Sequence, residues 1–120
     1  MTANKKMEWL LRIGVAGEFL GHGILAIQKK ADWIKWIGDM LNVEVSTATT
    51  LVVLIGVLDV IVAAIVLLRP MPKVLLWAAF WGFWTALVRP LVGQPIWDFV
   101  ERSANWAAPL ALYFFYRVNK

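Results

Sequence analysis

The first apolar stretch of the chain contains an acid, Glu18, and a histidine, His22, within the segment RIGVAGEFLGHG. Residues at i and i+4 are neighbours on one face of an α-helix, so this acid lies beside the only histidine of the chain. Gly14, Gly17 and Gly21 fall on the same side of the helix. Such a pair can bind a polar ligand or relay a proton, and the small residues predict that this side faces other helices.

Charged side chains also interrupt the later apolar stretches. Asp59 and Arg89 each lie on a face of small residues, where a neighbouring helix can approach closely. An unpaired charge at the centre of a membrane helix costs about 2.5–3.5 kcal/mol, so we expect these two to compensate each other, directly or through Glu18, inside one polar pocket. The predicted ligand-binding residues of the pocket are Glu18, His22, Asp59, Trp81, Trp84, Arg89, Glu101, Arg102 and Asn105.

The composition predicts a membrane protein. Hydrophobic residues make up 61% of the 120 residues and the mean hydropathy is +0.68, which exceeds what a soluble domain needs. The net charge of +4 comes from basic residues scattered between apolar runs, so it does not indicate a nucleic-acid partner. The absence of cysteine excludes thiol redox chemistry and thiolate-bound clusters, and a single histidine predicts no metal site.

Four apolar segments are long enough to cross a bilayer as helices, because a crossing takes about 20 residues. We expect them near residues 7–28, 46–68, 72–93 and 95–118. The chain is then a single domain over residues 1–120, an all-α integral membrane four-helix bundle. The first segment lacks a cleavage site and is expected to remain as a span.

A short amphipathic helix is predicted over residues 31–41, between the first and second spans. Its apolar face carries Trp33, Ile37, Met40 and Leu41. A helix of this length with one apolar face is expected to lie in the membrane interface rather than to cross the bilayer.

The distribution of lysine and arginine predicts the orientation. One side of the membrane is flanked by Lys5, Lys6, Arg12, Arg69, Lys73, Arg117 and Lys120, and the other by Lys29, Lys30 and Lys35. Because cytoplasmic loops carry the excess of positive residues, both termini are expected in the cytoplasm, in a multi-pass protein of the plasma (inner) membrane.

Several short motifs are shared with a known family. The first span carries Arg12, Gly17, Phe19 and the His22-Gly23 pair, and the second carries an acid within GVLDVIVAAIVLL. In these features the chain resembles the DoxX-like family of small four-helix membrane proteins. That family usually has glutamate where this chain has Asp59, and often has an acid shortly before the last helix, at the place of Glu101.

The resemblance implies a link to membrane redox complexes, since the name-giving members resemble the membrane subunit of a thiosulfate:quinone oxidoreductase. The insert at residues 31–41 and the pairs Arg69-Pro70 and Arg89-Pro90 depart from the family pattern. These departures favour a divergent branch.

The sequence therefore favours a pocket for a small lipid-soluble ligand, with a quinone as first choice, in a subunit or accessory protein of a membrane redox system. Whether such a subunit catalyses a reaction itself stays open. His22, Arg89 and Asn105 can donate hydrogen bonds to quinone carbonyls, and Trp81 and Trp84 can pack beside the ring.

Two alternatives remain open from the sequence. One is a small oligomeric transporter or channel-like module, in which the acids and the histidine relay protons or a cation. The other is a structural or assembly subunit without its own chemistry. The expected partners are the lipid bilayer and either further copies of the chain or a redox subunit.

Overall fold

The computed structural model describes residues 2–118, and this part of the chain is entirely helical apart from its turns. Lys120, which contributes to the predicted orientation, lies outside the described residues. The six helices are α1 (Ala3–Ile27), α2 (Ala31–Leu41), α3 (Val45–Leu68), α4 (Pro72–Leu91), α5 (Ile96–Val100) and α6 (Ala104–Val118). The all-α class is confirmed, and α1, α3 and α4 are long and apolar enough to cross a membrane.

The helix boundaries follow local signals in the sequence. At the start of α1 the Thr2 hydroxyl accepts the backbone N–H of Lys5 at 3.2 Å, which satisfies one of the free donors of the first turn. α4 begins with Pro72, a favoured residue at the first helical position. α2 covers the predicted residues 31–41 and ends at Asn42, whose φ of 54° lies in the left-handed region that terminates helices.

The fourth apolar segment differs from its prediction. A single helix over residues 95–118 is expected from the sequence, but the structure has α5 and α6 with a turn between them. In this turn the Ser103 hydroxyl donates a hydrogen bond of 2.6 Å to the carbonyl oxygen of Val100. Serine side chains compete in this way with the backbone for helical acceptors, and the competition explains the interruption.

The long helices pack as two pairs. α1 packs against α3, α4 packs against α6, and α1 also packs against α6, while α3 and α4 touch more sparsely. The apolar core lies in the half of the bundle that contains the start of α1 and the end of α3. Its buried members are Val15, Ala16, Phe19, Val62, Ala63, Val66, Leu75, Ala78 and Leu112.

The packing face of α1 differs from the predicted one. Gly14, Gly17 and Gly21 are exposed, and a Cβ atom added at any of them would meet nothing within 4 Å. The residues that α1 buries are instead Glu8, Arg12, Val15, Ala16, Phe19, Gly23 and Ala26. The prediction fails because the outer glycines have no side-chain volume to fill the core, whereas Gly23 meets the backbone of Gly56 on α3.

A charged cluster joins α1, α3 and α6 at the end of the core. Arg12 donates from Nε to the carbonyl oxygen of Val66 at 3.3 Å and from Nη2 to that of Leu67. Glu8 pairs with Arg12 at 3.5 Å and accepts a hydrogen bond of 2.6 Å from the Tyr116 hydroxyl. The cluster satisfies carbonyl groups in the last turn of α3, and we call it the Glu8–Arg12 cluster.

Large apolar side chains are exposed on the outside of every long helix. Leu10 on α1 is 71% exposed, and Leu54 on α3, Phe80 on α4 and Phe114 on α6 are also exposed. A soluble protein rarely leaves so continuous an apolar surface in water. Together with the three candidate spans, this surface indicates a protein that resides in a lipid bilayer.

Candidate functional site

A partly open cavity of about 110 Å³ lies between α1, α2, α3 and α4, on the opposite side of the bundle's midpoint from the apolar core. All four helices contribute to its wall. The lining residues are His22, Ala26, Trp33, Trp36, Ile37, Val52, Ile55, Asp59, Trp81, Trp84, Thr85, Val88 and Arg89. Five of the residues predicted from the sequence are therefore brought together: His22, Asp59, Trp81, Trp84 and Arg89.

Two oppositely charged groups belong to the cavity wall. Asp59 is 4% exposed and Arg89 is 7% exposed. Arg89 donates from Nη1 to the carbonyl oxygen of Thr85 at 2.7 Å, but within residues 2–118 neither Arg89 Nε nor Asp59 Oδ1 has a hydrogen-bond partner. Buried polar atoms without a partner are costly and call for an explanation.

The predicted compensation of Asp59 by Arg89 is not made by direct contact. The ion pairs in the described part of the chain are Lys5–Glu8, Arg12–Glu8, Lys35–Asp39 and Arg102–Glu101. Asp59 and Arg89 thus share a cavity without forming an ion pair, because they are held on α3 and α4, which touch only sparsely.

Helix α3 presents its acid as the sequence predicts. Val52, Gly56, Asp59 and Ala63 are all buried on one face. The approach of α1 is close there, because a Cβ atom added at Gly56 would lie 2.7 Å from the carbonyl oxygen of Gly23. The tight crossing of α1 and α3 places His22 and Asp59 on the same cavity wall.

Four tryptophan side chains contribute to the remaining wall, and three of them are held by a further contact. The Trp33 ring meets the His22 ring edge-on, with centroids 5.7 Å apart, and Trp81 stacks on Trp77 at 5.4 Å. The guanidinium carbon of Arg89 lies 5.1 Å from the centroid of the Trp36 ring, a cation–π geometry. These contacts fix both the charged group and the rings around it.

Helix α2 covers the cavity instead of lying only in the membrane interface. Trp33, Trp36 and Ile37 line the cavity, while Met40 and Leu41, which are predicted on the same apolar face, are exposed. α2 packs against α3, and this contact determines which side of α2 faces the cavity. The first turns of α2 therefore line the cavity.

The outer face of α2 is charged. There Lys35 donates a hydrogen bond of 2.7 Å to Asp39, and this bond raises the pKa of Lys35. The charged outer face and the aromatic inner face together orient α2 over the cavity.

Four predicted site residues lie elsewhere in the described structure. Glu18 is half-buried beside the cavity, near enough to Asp59 for their charges to interact. Glu101 is exposed and pairs with Arg102 at 2.8 Å, and Arg102 also donates to the carbonyl oxygen of Asp98 at 2.9 Å. Asn105 packs its backbone carbonyl against Gly82. Glu101 and Arg102 lie in the turn between α5 and α6 and Asn105 lies in the first turn of α6, so all three are outside the cavity lining.

Sequence reasoning missed Trp33 and Trp36 as site residues. Both are spaced i, i+3 on α2, which is the spacing that would have identified a shared face. The amphipathic pattern of α2 predicts a helix in the membrane interface, and this prediction does not include a contact of Trp33 or Trp36 with the site.

The wall combines tryptophan rings and aliphatic side chains with His22, Asp59 and Arg89. In residues 2–118 no three side chains of His, Asp or Glu lie together as a metal site would need. Comparison with protein-family models, curated proteins and solved structures gave no match.

Proposed function

We propose that this protein binds a small lipid-soluble ligand, a quinone as first choice, in the cavity between α1, α2, α3 and α4. The observation that carries the proposal is the combination of tryptophan walls with two buried polar groups that each have, within residues 2–118, an atom without a hydrogen-bond partner, Asp59 Oδ1 and Arg89 Nε. Ligand pockets generally combine apolar and aromatic walls with a few polar groups that fix orientation. In this proposal the protein is a subunit or accessory of a membrane redox system.

The hydrogen-bonding capacity of the wall supports a quinone. Arginine is always a donor, so the Nε of Arg89 can donate to an acceptor such as a quinone carbonyl oxygen. His22 lies on the same wall and can supply a second donor. The rings of Trp33, Trp81 and Trp84 offer surfaces against which a flat headgroup can pack.

The proposed architecture is a DoxX-like four-span bundle in the plasma (inner) membrane, with α5 and α6 together as the fourth crossing. α6 alone has 15 residues, fewer than a perpendicular crossing requires. Adding α5 and the turn brings the segment to a length that fits. Both termini are then cytoplasmic, as the lysine and arginine distribution predicts.

The orientation is tested by reporter fusions after Lys30, after Pro70 and after Lys120. We expect the Pro70 and Lys120 fusions to report the cytoplasm and the Lys30 fusion to report the opposite side. If the α5–α6 segment does not cross, the Lys120 fusion will report the same side as the Lys30 fusion.

Ligand binding is tested by the substitution Arg89→Gln. Lipid-soluble molecules that co-purify with the protein in mild detergent are identified and quantified by mass spectrometry. A hydrogen bond from a charged group contributes about 1.5–3 kcal/mol. We therefore expect the variant to retain at most about one tenth of the ligand that the wild type retains. The matched control is Arg69→Gln, which removes the same charge from an exposed residue outside the cavity.

The proposal would be contradicted if Arg89→Gln and the wild type retained equal amounts of ligand. It would also be contradicted if none of the co-purifying molecules bound again to protein from which they had been removed. If Arg89→Gln does not fold, Trp81→Leu removes one wall of the cavity without removing a charge and gives the same comparison.

A second candidate function is proton-coupled transport, and one observation favours it. Glu18 on α1 and Asp59 on α3 lie near enough for their charges to interact inside the bundle. Buried acids of this kind mark proton pathways in membrane proteins. Proton flux in proteoliposomes that Asp59→Asn abolishes, in a protein that retains no quinone, would favour this function over the first.

A further inference from the structure

The size of the cavity limits what it can hold. Its volume is about 110 Å³, whereas an engineered protein cavity of about 150 Å³ accommodates one benzene molecule. The enclosed space is therefore no larger than a single six-membered ring requires. A fused second ring adds carbon atoms that the cavity has no room to enclose.

The walls resist expansion. Trp33 is held by His22, Trp36 by Arg89, and Trp81 by Trp77, so moving any of these rings breaks a second contact. Val52 on α3 is 1% exposed and backs onto the packed α1–α3 crossing. Forcing extra atoms into a well-packed interior is destabilising, and the cost appears here as lost affinity.

The polar groups set a second condition. Arg89 presents donors, so the ring must carry an oxygen acceptor toward α4. Asp59 lies on α3, where it can donate to a second ring carbonyl when it is protonated, or accept from a ring hydroxyl of the reduced form when it is ionised. An isoprenoid or alkyl tail has no place within this volume and must leave through the open side of the cavity.

We infer that the site selects a monocyclic oxygenated headgroup, of the benzoquinone class, against bicyclic naphthoquinones. This inference rests on the proposed function and adds the class of headgroup. Arg89 then binds the ring oxygen, and the tryptophan walls limit the size of the ring.

The test compares two probes that differ only in ring number, a decyl benzoquinone and a decyl naphthoquinone. Their dissociation constants for the purified, ligand-free protein in detergent are measured by equilibrium dialysis. We expect the benzoquinone to bind at least about tenfold more tightly, because the second ring must displace a wall residue.

A cavity-enlarging variant provides the matched comparison. Ile55→Ala removes a branched side chain from the cavity wall, and Ile65→Ala makes the same change at a half-buried position of α3 outside the wall. We expect Ile55→Ala to reduce the preference for one ring to less than about threefold, and Ile65→Ala to leave it unchanged.

The outcomes separate the inference from the proposed function. Equal affinity of the two probes for the wild type overturns the selection of one ring and leaves quinone binding intact. Failure of both probes to bind overturns the proposed function and the inference with it. If Ile55→Ala does not fold, the ratio measured on the wild type decides the question.

Discussion

Alanine at position 82 will lower the free energy of unfolding by about 3 kcal/mol, the largest effect expected for the loss of a glycine in this chain. A Cβ atom on Gly82 would overlap the carbonyl oxygen of Asn105 and lie 2.7 Å from its carbonyl carbon. Both atoms belong to the backbone of α6, so no side-chain rotation relieves the clash. α4 and α6 must move apart, and their shared packing is lost.

The measurement is thermal unfolding in detergent, followed by intrinsic tryptophan fluorescence. The matched control is Gly17→Ala on α1, where the added Cβ meets nothing within 4 Å. Alanine favours a helix over glycine by roughly 0.5–1 kcal/mol, so the control is expected to be as stable as the wild type or slightly more stable. Equal stability of Gly82→Ala and Gly17→Ala would show that α4 and α6 do not approach as described.

The close approach at Gly82 has a local cause in Pro109. Proline has no backbone N–H, so Pro109 cannot donate to the carbonyl four residues earlier, which is that of Asn105. This carbonyl is then free to face α4, and it lies against Gly82, the one residue type without a Cβ. Pro109, where a kink is expected, thus leaves free the carbonyl oxygen through which α6 contacts α4.

The sequence predicts helices α1 to α4 and two of the three principal packing faces, but not the division of the last apolar segment into α5 and α6. The α3 face of Gly56, Asp59 and Ala63 is buried, and so is the α4 face of Ala78, Gly82 and Arg89. Both are identified from small residues at helical spacing next to a single charge. The same reasoning fails on α1. It predicts that Gly17 and Gly21 face another helix, whereas α3 packs against Gly23.

The candidate site is predicted in part for a related reason. His22, Asp59 and Arg89 converge because each interrupts an apolar helix at a similar depth of the bundle. The contribution of Trp33 and Trp36 depends on how α2 folds back over α3, which the periodicity of α2 alone does not specify. Glu101 lies outside the cavity because the last apolar segment is broken at Ser103. The break results from a local competition for hydrogen bonds, which the apolar pattern does not indicate.

The second large effect is expected at the Glu8–Arg12 cluster. Arg12 and Glu8 are 8% and 9% exposed, and Arg12 also caps the carbonyls of Val66 and Leu67 at the negative end of the α3 dipole. Without Arg12, Glu8 keeps, among the described residues, only Lys5, which is exposed, and the Tyr116 hydroxyl as partners, and the carbonyls of Val66 and Leu67 lose their donor. Removing one partner of a buried ion pair costs about 3–5 kcal/mol. We therefore expect Arg12→Met to lower the free energy of unfolding in detergent by that amount.

The control and the double variant make this prediction specific. Arg102→Met removes an arginine whose partner Glu101 has a side chain that is 65% exposed, and exposed pairs contribute about 0–1 kcal/mol. The double variant Arg12→Met with Glu8→Gln should recover much of the loss, since it leaves no buried charge unpaired. A loss for Arg12→Met no larger than for Arg102→Met would mean that Arg12 is solvated at the membrane surface and does not hold α3 to α1.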